Sequence, residues 1–113
     1  MSKRDSKLYV KDIIDSVEKI QQYTKGLSLG QFKKKDLVID AVVRNFEIIG
    51  EASKNIPDEI KAQYPDIPWK EMAGMRDKVI HEYFGVDFDI VWKTISTRLM
   101  SLKNSLNNIY NSL

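Results

Sequence analysis

One short run of the chain gathers the side chains best suited to chemistry: Arg76, Asp77, His81 and Tyr83. His81 is the sole histidine, and imidazole changes charge near neutral pH, which suits general acid–base work. Arg76 carries a permanent charge and a fork of donors that matches phosphate or carboxylate. Four residues apart on a helix, Asp77 and His81 share a face, so the carboxylate can orient the ring. Tyr83 adds a hydroxyl on an aromatic ring. With no cysteine and one histidine, thiol chemistry and a classical zinc site are excluded. No metal and no cofactor is expected.

These residues need elements to hold them. The three prolines fall together at 57, 65 and 68, and the rest reads as helix. A first helix is expected from about Asp5 to Lys25, with Leu8, Tyr9, Ile13, Ile14, Val17, Ile20 and Tyr23 or Thr24 on its apolar side. Gly26 suits a left-handed stop, and Ser28 with Gln31 resembles a capping box. A second helix runs from Phe32 or Asp36 to Asn55. Its apolar residues fill an arc of roughly 180°, which places it centrally. Pro57–Tyr64 reads as a short connecting helix, and Pro68 suits the first position of the next. That third helix is expected from Trp69 to Tyr83, and a fourth from Phe88 toward Asn111. The fold expected is all-α, an up-and-down four-helix bundle with a short extra connecting helix, in one domain over residues 1–113.

On this third helix, at about 100° per residue, Met72, Val79, Ile80 and Tyr83 lie within roughly 60° of Arg76. His81 lies about 140° away. Arg76 thus sits on the apolar face, where an unpaired charge is costly. It either pairs with a carboxylate, Glu47 or Glu51 being candidates, or faces a polar cleft. His81 could instead be a helix cap, and Tyr83 a core aromatic. Trp69 and Trp92 read as core anchors. Asn45 falls inside the apolar arc of the second helix and needs a partner. Asn45 and Glu51 are therefore candidate supporting residues.

Net charge is +2 over 113 residues, with 42% hydrophobic and 30% charged, the composition of an ordinary globular chain. Residues 1–35 hold nine Lys/Arg against four Asp/Glu. That basic third could meet a polyanion, or could simply be solvated helix faces. The start, MSKRDSK, lacks the apolar core of a signal peptide. No apolar run nears the ~20 residues that span a bilayer. The expected setting is the cytoplasm, away from membranes.

RDKVIHEY, from Arg76 to Tyr83, resembles the Arg-x4-His-x-Tyr form of the HEPN ribonuclease motif. RNFEIIGEA (44–52), PDIPW (65–69), MAGMRDKVIHEYFGVD (72–87) and IVW (90–92) extend the likeness to the HepT-like branch across nearly the whole chain. One departure is Asp77, where this family often has asparagine. A carboxylate there repels phosphate unless it turns toward His81.

The resemblance implies a metal-independent endoribonuclease that acts as the toxin of a toxin–antitoxin pair. The RNA's own 2′-hydroxyl attacks the next phosphate, His81 moves protons, and Arg76 steadies the charged phosphorane. Asp77 orients the site. One chain has a single histidine, and the resemblance implies a homodimer with the site at the interface. It also implies a minimal nucleotidyltransferase antitoxin that transfers AMP to Tyr83, which otherwise positions RNA. The competing expectation is a non-catalytic helical dimer that binds a nucleotidyltransferase or a nucleotide.

Overall fold

A computed structural model describes residues 3–74 and 88–113, leaving aside the side chains of 3, 4 and 90. The described residues form seven helices and no strand. These are α1 (Lys3–Thr24), α2 (Leu29–Lys33), α3 (Asp36–Lys54), α4 (Asp58–Gln63), α5 (Trp69–Ala73), α6 (Phe88–Thr97) and α7 (Leu99–Ser112). The all-α expectation holds.

The spacing of apolar residues explains the packing. α1 buries Val10, Ile13, Ile14, Val17 and Ile20 against α3 and α7. α3 buries Ile39, Val42, Phe46 and Ile49, and lies against α1, α2 and α5. It is central, as its wide apolar arc requires. α7 closes the core with Leu99, Leu106 and Ile109. Lys103 of α7 reaches Glu18 of α1 at 3.5 Å. One expectation for α1 fails: Leu8 is 56% exposed, while Val10 is fully buried. Of the pair Tyr23 or Thr24, Thr24 is the buried one. The buried stripe runs 10–13–14–17–20–24, and Leu8 points off it by more than a quarter turn of the helix.

Two boundaries also differ from expectation. The fourth helix is two, because Arg98 interrupts it between α6 and α7. The segment before Arg98 is Thr94-Ile95-Ser96-Thr97, and the Thr97 hydroxyl donates back to the Lys93 carbonyl at 2.6 Å. Such hydroxyls compete for helix carbonyls and bend the helix. The helix starting at Trp69 closes at Ala73, with Gly74 as its C-cap. Glycine is a poor helix former, so Trp69, Met72 and Ala73 do not continue one helix past Gly74. Residues 75–83 of that expected helix lie outside the described residues.

The link between α1 and α3 is ordered by local chemistry. Gly26 turns the chain at φ 77°, in the left-handed region that costs glycine least. Ser28 Oγ accepts from Gln31 N at 3.2 Å, and Ser28 N donates to Gln31 Oε1 at 2.9 Å. This is the expected capping box, and it starts the separate short helix α2. Pro68 stands as the N-cap of α5 rather than its first residue.

Candidate functional site

Arg76, Asp77, His81 and Tyr83 lie outside the described residues. The structure instead describes the elements on either side of them. Upstream, the chain is fixed by the turn that begins at Tyr64. Ile67 N donates to Tyr64 O at 3.2 Å and Trp69 N donates to Ile67 O at 2.8 Å. Trp69 Nε1 also donates to Tyr64 O at 3.0 Å. Trp69 and Met72 are buried, so α5 is pinned to α3 and ends three residues before Arg76. Trp69 is the anchor the sequence suggests.

Downstream, five residues beyond Tyr83, Phe88 begins α6 against α2. Its ring meets Phe32 edge-on at 6.3 Å, and Trp92 lies 5.1 Å from the same ring. Lys33 Nζ reaches Asp89 Oδ1 at 3.7 Å. Phe32 is 1% exposed and so serves as the socket for the strand of chain returning from the motif. Sequence reasoning left this role unassigned. The capping box at Ser28 followed by a lone large apolar residue was the available signal.

The two supporting candidates do not converge. Asn45 and Glu51, both on α3, are six residues and so about 120° apart. Asn45 is 5% exposed. Its Nδ2 donates to the Ala41 carbonyl at 2.8 Å, while Oδ1 is buried with no hydrogen-bond partner among the described residues. The need for a partner is thus only half met. Glu51 is exposed and borders an open cleft of about 480 Å³ between α1 and α3. Asp12, Glu47 and Arg44 share that cleft, and Arg44 Nη1 reaches Glu47 Oε2 at 3.6 Å. Three carboxylates against one guanidinium make the cleft unfavourable for phosphate. No described helix is long and apolar enough to cross a membrane.

A small helical bundle that carries an Arg-x4-His-x-Tyr run between two anchored helices is the class defined by fold and sequence. Residues 13–109 match the family model for ribonuclease HepT-like proteins, and the chain belongs to that family. It is 46% identical over 107 residues to "Probable ribonuclease HepT" of Thermococcus cleftensis, covering 95% of this chain and 97% of that one. Relatives named as candidate RNases include one from Methanocaldococcus jannaschii, 44% identical over 96% of this chain and 90% of its own. Another, from Caldanaerobacter subterraneus, is 44% identical over 89% and 90%. No solved structure matches the chain significantly. The expected class, an RNA-cleaving enzyme, holds.

Proposed function

We propose that the chain is a metal-independent endoribonuclease acting as the toxin of a toxin–antitoxin pair. The observation that carries this reading is the family match over residues 13–109, which spans the whole Arg76–Tyr83 run. In the proposed reaction the 2′-hydroxyl loses its proton and its oxygen bonds to the adjacent phosphorus. The bond from phosphorus to the 5′-oxygen breaks, and that oxygen takes a proton. The products are a 2′,3′-cyclic phosphate and a 5′-hydroxyl. No metal is needed if a histidine moves the protons and a guanidinium balances the phosphorane charge.

In this reading His81 is the acid–base residue, Arg76 holds the phosphate and Asp77 orients the imidazole. A homodimer supplies a second His81, so one copy can act as base and the other as acid. Tyr83 positions RNA and is the residue to which a nucleotidyltransferase antitoxin adds AMP. Added phosphate brings negative charge and bulk to the place where RNA phosphate must sit, which excludes substrate.

The test compares wild type with His81→Ala on single-stranded RNA and analyses the product ends. Wild type yields cyclic phosphate ends in the presence of a metal chelator, and His81→Ala yields at least about 100-fold less product, the size of a lost acid–base group. Equal cleavage by both proteins would sink the assignment of His81. Mass spectrometry after co-expression with a nucleotidyltransferase tests the AMP acceptor. A protected cell with an unmodified Tyr83 peptide would refute that part.

A further inference from the structure

The nine basic residues of the first third are not equivalent. Lys7 sits over the Tyr110 ring, 4.6 Å from its centre. Lys11 is 3.0 Å from Asp15, whose hydrogen bond and charge push the ammonium above its ordinary range. Lys33 is engaged by Asp89. Lys25, Lys34 and Lys35 are exposed and form no salt bridge with a described residue. All three lie in the link between the end of α1 and the start of α3, at one end of the bundle. Of the described acids, Asp36 adjoins Lys35 in the sequence, and Asp89 is taken up by Lys33.

None of the three is required by the fold. Lys35 is the N-cap of α3 without any side-chain cap bond. Lys34 closes α2 through its backbone N–H, which donates to Gln31 O, while Lys35 N donates to Phe32 O. Lys25 follows the last residue of α1. Among the described residues, none forms a salt bridge with their ammonium groups.

The same end of the molecule receives the chain from the motif. Phe88 packs on Phe32, one residue before Lys33. Five residues of chain, the separation of Phe88 from Tyr83, reach at most about 18 Å. Connectivity thus limits how far Tyr83, the last residue of the motif, can stand from the Phe88–Phe32 contact. The acidic α1–α3 cleft offers no comparable path.

We infer that Lys25, Lys34 and Lys35 form a phosphate-binding track that holds the backbone of single-stranded RNA beside the cleavage motif. The inference rests on the ribonuclease reading. Contacts of this kind carry no sequence information; they set affinity and register. Each lysine that neutralises a phosphate of a single strand adds about 0.7 to the slope of log affinity against log salt.

The test is fluorescence anisotropy with a labelled single-stranded RNA and His81→Ala protein, which leaves the RNA intact. In that background, changing Lys25, Lys34 and Lys35 together to Gln lowers the salt slope by about 2. Between 50 and 200 mM salt the unaltered background then loses about 20-fold more affinity than the triple variant. The corresponding Lys-to-Arg triple variant keeps the slope. Lys54→Gln, at the far end of α3 and about 27 Å from its start, combined with Lys61→Gln in α4, keeps it as well. With His81 restored, the Gln triple variant raises KM for RNA and leaves kcat little changed. An unchanged slope with RNA still bound and cut overturns the track and leaves the ribonuclease reading standing. Failure of the protein with all its lysines to bind or cut RNA overturns both.

Discussion

Asn45 offers the sharpest test of whether polar residues here are held for folding or for function. Replacing it with alanine removes two groups with opposite energetics. Oδ1 is a buried acceptor without a described partner, and such an orphan costs about 1–3 kcal/mol. Nδ2 donates to the Ala41 carbonyl, a bond worth about 1 kcal/mol net. That carbonyl keeps its helical partner, so the substitution leaves no new orphan. Alanine also gains about 0.5 kcal/mol in helix propensity. The void left by the missing amide costs less than about 1 kcal/mol. The sum is a stabilisation of about 1 kcal/mol, or about 4 °C in Tm for a chain of this size. Calorimetry measures it directly. A fall of 4 °C or more would refute the reasoning and show that Oδ1 is bonded by a group outside the described residues. RNA cleavage by the same variant separates the two roles. A more stable but less active protein marks Asn45 as held for function.

Two further substitutions probe the frame around the motif. Ser28→Ala breaks the capping box that starts α2; it should cost about 1 kcal/mol and lower Tm by about 4 °C, read by thermal denaturation. Phe32→Ala empties the socket that meets Phe88 and Trp92; it should cost about 3–5 kcal/mol and reduce RNA cleavage even well below its melting temperature. A Phe32→Ala protein with full activity in the cold would show that the α2–α6 contact does not position the motif.

Most of the fold was legible because the long helices carry their own periodicity. The buried stripe of α1, apart from Leu8 and Val10, and the wide arc of α3 follow from spacing alone. The capping box at Ser28 was legible for a different reason: both of its partners lie within three residues. What escaped were the interruptions. A sustained apolar stripe from Val91 to Leu113 hides the break at Arg98, because hydroxyl back-bonding bends a helix without disturbing its hydrophobic period. Gly74 ends a helix whose apolar period runs on to Tyr83 in the sequence. Periodicity reports which residues face inward, not whether the backbone between them is continuous.

The same limit governs the site. Arg76, Asp77, His81 and Tyr83 are legible as a set because their residue types and order carry the chemistry. Their mutual geometry is not, since residue type and order set chemistry but not distance. The described residues narrow the problem from both sides. Trp69 and its bond to Tyr64 O fix where the segment departs, and Phe32 fixes where it returns. α2, a helix of five residues, then holds two tasks at once. Its buried Phe32 receives the motif's return, and the lysines that flank it face outward. A basic link of the kind that reads as solvated surface in the sequence becomes a substrate path only when its anchor is seen beneath it. That juxtaposition makes salt dependence, rather than a further active-site mutation, the measurement that connects fold to function.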